Sequence, residues 1–360
     1  MQNKKNLLGC SLESLEVFFQ DIGESKYRAK QVIKWIHQKG VIDFYKMTNL
    51  NKKLIEKLNA IAFIKPPIIE EQFLSDEGTK KHLIKLHSGS MIETVVIPEG
   101  KRRTLCVSSQ AGCALQCTFC ATGAQGFDQN LESHEIIGQL WLANFSEKSN
   151  KPITNVVFMG MGEPLLNFDA VIEATKIIKD QNAYGLSRKR ITISTSGIVP
   201  NIKELNKHVD VSLAISLHAA NDDLRDKIVP INKKYPIKML LSSCIDFLAD
   251  HDSKRHITIE YILIKDINDS YEDAKSLVSL LSTFPCKINL IPFNKFEGSD
   301  YERPSNNRIN NFKKYLIEKG FITTLRTTRG DGVDAACGQL VGNLSKSVRG
   351  KKLISHKSLR

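Results

Sequence analysis

Apolar residues recur at helical spacing through the first part of the chain. Leu12, Leu15, Phe18 and Phe19 fall on one helical face, Ala29, Val32, Ile33 and Ile36 on a second that stops at Gly40, and Leu54, Ile55, Leu58 and Ile61 on a third. Spacing of this kind predicts amphipathic helices, so residues 1 to about 75 read as a small helical module. Its polar positions carry Lys26, Lys30, Lys34, Lys52, Lys53 and Lys57. These lysines fit either a solvated helix face or a face that meets nucleic acid.

The period then changes. His82–Leu86 and Met91–Ile97 are strand-like runs on either side of Ser88-Gly89-Ser90, which predicts a hairpin. Beyond residue 100, short β-branched runs alternate with helical patterns. The runs are Leu105–Ser108, Asn155–Met159, Ile191–Thr195, Val211–Leu217, Ile257–Leu263 and Ile288–Phe293, and the helical patterns cover 133–144, 169–180, 238–249, 271–283 and 305–319. Strand, helix, strand at this spacing predicts βαβ units and a parallel sheet, as an incomplete barrel or a doubly wound fold. In both, ligands gather at the carboxyl ends of the strands. The expected divisions are a helical accessory domain at 1–80, a hairpin linker at 81–98, an α/β core at 99–335 and a basic C-terminal segment at 336–360.

Composition narrows the class. The 360 residues are 41% hydrophobic and 25% charged, which excludes a disordered, collagenous or coiled-coil chain. No apolar run approaches the ~20 residues of a membrane span, and the N-terminus lacks a signal-peptide core. A cytoplasmic protein without membrane contact is expected. Fifty-one Lys and Arg against 39 Asp and Glu give a formal charge of +12, which favours a polyanionic partner.

In a reducing compartment, clustered cysteines read as metal-binding or catalytic. Cys113-Ala-Leu-Gln-Cys117-Thr-Phe-Cys120 directly follows the first strand of the core. Three thiolates on one loop can ligate three irons of a 4Fe-4S cluster and leave the fourth open to a substrate. A structural zinc site is the alternative, but its usual second pair of ligands is missing, and Cys106 or His134 has no matching partner. Gly160-Met161-Gly162-Glu163-Pro164 follows the second strand, where glycines permit close backbone approach and Glu163 offers a carboxylate to an ammonium. Ser194, the Ser216-Leu217-His218 triplet and Asn294 end later strands, so polar groups collect at one mouth.

The cysteine loop, with Phe119 before its last cysteine, resembles the signature of the radical S-adenosylmethionine (SAM) enzymes. Ser108–Cys117, Gly160–Asn167 and Asp334-Ala335-Ala336-Cys337-Gly338-Gln339-Leu340 narrow the resemblance to the RlmN/Cfr branch, which methylates adenine in RNA. The resemblance runs from the helical module to about residue 345. It implies a partial (β/α)6 barrel as the core, with the N-terminal helical domain and connecting hairpin attached. It also implies Cys113, Cys117 and Cys120 as ligands of one 4Fe-4S cluster with an open iron. Gly162, Glu163, Ser194, Ser216, Leu217, His218 and Asn294 become SAM contacts, with two SAM molecules used per turnover.

The same resemblance gives roles to three further residues. Cys337 accepts a methyl group from one SAM, and a radical derived from a second SAM removes hydrogen from that methyl. The resulting methylene radical adds to the adenine ring. Glu93 accepts the ring proton, and Cys106 attacks the sulfur of Cys337, forming a transient disulfide that releases the product. Without the resemblance, Cys337 and Cys106 would read as buried thiols and Glu93 as a surface carboxylate. Cys10, Cys244 and Cys286 match no motif and are expected to be structural. The expected substrates are 23S rRNA, at the peptidyl-transferase centre, and tRNA, at the adenine 3′ of the anticodon. Methylation at carbon 2 is expected, with Cfr-type methylation at carbon 8 as the alternative and a zinc-stabilised RNA-binding protein as a remote one. A flavodoxin-type electron donor and a monomeric state complete the expectations.

Overall fold

A computed structural model describes residues 4–146, 151–249, 255–326 and 338–341. The three amphipathic faces become helices α1 (Leu12–Asp21), α2 (Tyr27–His37) and α3 (Lys52–Ile61). Ser11 caps α1 and Asn51 caps α3 with their side chains. The apolar residues named above are buried or packed against the core, and the six lysines are exposed.

A ten-stranded sheet follows, and its strands lie in strict chain order from one edge to the other. The first four are β1 (Ile68–Leu74), β2 (Lys80–Lys85), β3 (Met91–Glu99) and β4 (Arg102–Cys106), paired antiparallel. The other six are β5 (Asn155–Phe158), β6 (Ile191–Thr195), β7 (Ser212–Ser216), β8 (Ile257–Leu263), β9 (Cys286–Pro292) and β10 (Thr323–Leu325). From β4 onward every pairing is parallel. The main crossovers are α4 (Ser133–Phe145), α5 (Phe168–Lys179), α6 (Val199–His208), α7 (Asp222–Ile228), α8 (Ile237–Ala249), α9 (Tyr271–Leu281) and α10 (Asn306–Glu318). The six expected strands are present, and β10 adds a seventh parallel strand at an edge that does not close.

Two expectations need correction. Residues 68–74 were expected to be helical but form strand β1, whose face is largely exposed and lacks clean alternation. The hairpin expected as a linker is instead paired into the main sheet through β4. The helical module is also not set apart, because its apolar residues join the same core cluster as the α/β region. Trp141 of α4 donates its indole N–H to Ile36 O (3.0 Å), Ser133 Oγ donates to Gly9 O (2.8 Å), and Glu173 of α5 accepts from Ser11 N (2.8 Å). Among the described residues no helix is long and apolar enough to cross a membrane.

Candidate active site

The cysteine loop leaves the carboxyl end of β4 and is held on all sides. Cys113 N donates to Gly126 O (2.9 Å), Thr118 N to Ile228 O (3.2 Å) and Cys120 N to Cys117 O (3.1 Å). The Thr118 hydroxyl meets the Tyr301 hydroxyl at 2.9 Å. Gln116 takes a left-handed backbone (φ 53°), a conformation rare outside glycine, to turn the loop. Burial pushes the Cys113 thiol up to about 12, with Cys120 and Glu163 adding to the effect. Burial raises Cys117 well above the usual thiol range, and its neighbours Cys120 and Cys113 raise it further. Cys120 is raised by burial as well. Three buried thiols held on one short loop, whose ionisation burial disfavours, form a soft donor set that a bound cation would satisfy. An iron cluster with soft sulfur ligands fits that demand.

Beside the loop lies a cavity of about 740 Å³, counting the space open to solvent. Its wall includes Cys120, Gly162, Glu163, Ser194, Ser216 and His218. Gly162 has φ +93°, and a Cβ there would stand 2.4 Å from Gln110 Cβ. Only glycine passes the backbone through that gap.

Glu163 is buried, and burial raises its carboxyl above the usual range. Its two oxygens accept from Ser196 N (2.8 Å) and Leu165 N (3.1 Å), joining the loops after β5 and β6. The Thr195 and Ser196 hydroxyls also bond the carboxylate and offset part of the effect of burial. His218 has φ 61°, and burial, with Arg225 nearby, lowers it to about 3. The imidazole is therefore neutral. Its Nδ1 accepts from Ile262 N at 3.0 Å, which leaves the proton on Nε2. Phe119 packs edge-on against the ring at 4.6 Å.

Two expected contacts stand apart from the cavity wall. The Leu217 side chain is fully buried and its backbone N donates to Glu260 O (3.1 Å), while Asn294 is half-buried beyond β9. Neither is among the described residues lining the cavity.

Sequence reasoning missed several residues. Glu260 of β8 lines the cavity and accepts from Ser194 Oγ at 2.9 Å, reaching across β7. Its other oxygen is buried with no hydrogen-bond partner among the described residues. That orphan acceptor suits a ligand hydroxyl or ammonium. Its signal was a carboxylate inside the apolar run Ile257–Leu263. Arg225 is fully buried. It donates to Leu217 O (3.0 Å), Ser196 O (2.7 Å), Ser216 O (3.1 Å) and Asn232 Oδ1 (2.8 Å), tying the ends of β6 and β7 together. Gln139 of α4 exchanges two 2.8 Å bonds with the Ser108 backbone and braces the approach to the cysteine loop. A polar residue inside the apolar stretch Ile136–Leu142 was its signal.

The third group sits on the hairpin side. Cross-strand register places Val95 opposite Cys106. Side chains alternate along a strand, so Glu93 and Cys106 share one face. Both are buried. Glu93 Oε1 lies 3.2 Å from Lys81 Nζ, and Glu93 Oε2 accepts from Val341 N at 2.9 Å. Cys337 lies outside the described residues. Its neighbour in sequence, Gly338, lines the cavity and accepts from Ala121 N at 2.7 Å, immediately after Cys120. Leu340 O accepts from Thr122 Oγ1 at 2.7 Å. Cys10 and Cys244 are buried and Cys286 half-buried, all three away from the cavity wall.

Comparison with known proteins gives concordant results. A family model described as the ribosomal RNA large subunit methyltransferase N-terminal domain matches residues 5–64, and one described as the radical SAM superfamily matches 107–278. The chain is 58% identical over 351 residues to the dual-specificity RNA methyltransferase RlmN of Pseudomonas putida (strain W619), covering 96% of this chain and 92% of that protein. It is 56% identical to the protein of the same description from Pseudomonas fluorescens (strain SBW25), with the same coverage. A crystal structure of a radical SAM methyltransferase from Sphaerobacter thermophilus superposes with a TM-score of 0.87 at 38% identity, over 93% of this chain and 99% of that one.

Proposed function

Because the chain belongs to the RlmN family of radical SAM RNA methyltransferases, we propose that it methylates carbon 2 of adenine in 23S rRNA, at the peptidyl-transferase centre, and in tRNA, 3′ of the anticodon. Carbon 2 of adenine is electron-poor and does not attack a methyl cation donor, so the enzyme must deliver carbon as a radical. When bound, the 4Fe-4S cluster and SAM supply the electron and the hydrogen-abstracting radical.

The chain's own residues do the rest. Cys113, Cys117 and Cys120 hold the cluster. Gly162 and Glu163 hold the amino-acid end of SAM, and Ser194, Ser216 and His218 surround its nucleoside. Cys337 carries the methyl group, taken as its thiolate displaces it from a first SAM. The methyl carbon then becomes the link to the RNA, and the adduct gives up one electron as Glu93 takes the ring proton. Cys106 attacks the Cys337 sulfur, breaking its bond to that carbon, which takes a proton and leaves as the product's methyl group. The external reductant then returns the disulfide to two thiols. Two SAM molecules are consumed per turnover. A flavodoxin-type donor supplies electrons, the monomer acts in the cytoplasm, and the exposed lysines of the helical module meet RNA phosphate.

One observation carries this reading. Glu93 shares a sheet face with Cys106 and is hydrogen-bonded to the segment that follows Cys337, while that same segment is bonded to the cysteine loop. The test uses protein purified without oxygen, reductant, SAM with a labelled methyl, and a 23S rRNA fragment, with nucleosides identified by mass spectrometry. The expected product is 2-methyladenosine. Product 8-methyladenosine assigns the Cfr-type reaction instead, and no methyladenosine from a cluster-loaded protein removes the substrate assignment.

A further inference from the structure

Lys81 is a buried cation with no part in the chemistry described so far. It sits on β2, where Phe73 of β1 lies opposite it on one side and Val95 of β3 on the other. Val95 in turn lies opposite Cys106 of β4. Phe73, Lys81, Val95 and Cys106 thus form one row across four strands, and Glu93 stands one step along the same face, opposite Leu83. The Lys81 side chain is 9% exposed and that of Glu93 is 7% exposed, with 3.2 Å between Nζ and Oε1. The ammonium also lies 5.3 Å from the centre of the Phe73 ring, within cation–π range.

A carboxylate taken from water without a counter-charge takes up a proton, because an isolated buried charge is too costly. A carboxylic acid so neutralised cannot accept a proton from a base carbon. Glu93 therefore needs a cation that enters the interior with it. It also needs fixed geometry, because a general base works only within hydrogen-bond reach of its target. Lys81 supplies the charge on one oxygen, while the Val341 N–H holds the other. Among the described residues, alternation also places Glu71, Lys85, Glu99, Arg102 and Cys106 on this face of the four strands. The cations Lys85 and Arg102 are exposed, so Lys81 is the one that is buried beside Glu93.

We propose that Lys81 is the positioning residue for Glu93, holding the carboxylate ionised and aimed at the adduct while the C-terminal segment is seated on its other oxygen. The inference rests on the reading of Glu93 as proton acceptor. It assigns Lys81 to one step, the loss of the ring proton, and not to methylation of Cys337 or to radical formation.

The test compares Lys81→Met, which keeps the chain length and removes the charge, with Lys81→Arg, which keeps the charge. Both are loaded with cluster and given SAM, reductant and the rRNA fragment in single-turnover reactions. Three quantities are followed across pH, namely 5′-deoxyadenosine, the covalent protein–RNA adduct and released methyladenosine. For Lys81→Met, 5′-deoxyadenosine still forms, the adduct accumulates, and release slows roughly 10²-fold, the lower range for a lost general base. The acid limb of the release profile moves up by about 1–3 pH units, the usual effect of removing an opposite charge beside a carboxyl. Lys81→Arg keeps the wild-type limb. Wild-type release and profile in Lys81→Met, or a displaced limb in Lys81→Arg, overturns the proposal. Should Lys81→Met fail to load cluster, the limb of Lys81→Arg decides alone. Glu93→Gln separates the two levels. If it stalls at the adduct while Lys81→Met does not, the role of Lys81 falls and that of Glu93 stands. If it releases product at the wild-type rate, both fall.

Discussion

Replacing Arg225 with methionine is expected to loosen the mouth of the cavity before any reacting atom is touched. The side chain is fully buried and bonds three backbone carbonyls and Asn232. Burial lowers the guanidinium to about 10, so it remains charged at neutral pH. Methionine fills similar space but leaves four acceptors without this donor. Leu217 O keeps the Ala219 N–H (2.8 Å), so three are orphaned. At about 1 kcal/mol each, the low end for a buried acceptor, the loss is ~3 kcal/mol. Removing a charge from the interior returns a part of that, so the net expectation is about 2 kcal/mol by urea unfolding of the cluster-loaded protein without oxygen. Arg225→Lys separates charge from geometry. An ammonium keeps the charge but has three donors at one point, and it cannot serve acceptors that a planar fork reaches in different directions. It is expected to recover less than half of the loss. A methionine variant within 1 kcal/mol of wild type, or full recovery by lysine, would refute the argument from hydrogen bonds.

Other outcomes follow from the same geometry. Cys106→Ala should trap a covalent protein–RNA adduct visible by denaturing gel, whereas Cys337→Ala should give neither adduct nor product; full activity in Cys337→Ala would sink the two-step scheme. Gly162→Ala places a Cβ 2.4 Å from Gln110 at a positive φ, so labelled-SAM binding should fall at least tenfold with cluster iron unchanged. Acidification should destabilise the fold from pH 6.5 downward. Burial lowers His37 and His218 to about 3, so between 6.5 and about 3 the unfolded chain alone binds those two protons. The slope approaches ~1.4 kcal/mol per pH unit for each histidine. A His37→Phe variant that keeps the wild-type acid slope would contradict this. Cluster loading should release protons, because the thiols that bind it are neutral beforehand, with Cys113 pushed up to about 12. Iron uptake without acidification of a weakly buffered solution would show that the thiols were already ionised.

The sequence made the strongly periodic parts legible. Helices α1, α2 and α3 follow their apolar faces, and the strand runs Ile191–Thr195 and Ile257–Leu263 match residue for residue. Weakly patterned elements were not legible. Strand β1 alternates poorly because it is mostly exposed, and β10 has only three residues. Helix α7 reads as a charged surface turn, since nothing local announces that Arg225 points inward while Asp222 and Asp226 bind Asn232. The site divides in the same way. The cysteine loop is visible because its ligands are adjacent in sequence. The contacts of Glu93 with Lys81 and Val341 are not, because cross-strand register and a separation of 248 residues create them. Asn294 shows the limit of reading strand ends alone, since it follows β9 yet lies off the cavity wall.

The strict chain order of the sheet bears on how the molecule is made. Each strand pairs with the one synthesised just before it, so closing each pair costs little loop entropy and the wall can grow along with translation. The contacts of Leu340 and Val341 break that rule, reaching back 218 and 248 residues to Thr122 and Glu93. They can form only after the rest of the wall exists. The segment 338–341 is thereby delivered last, onto a finished scaffold. A nascent or clipped chain would own the cysteine loop but lack the part of the cavity wall that Gly338 and Leu340 supply.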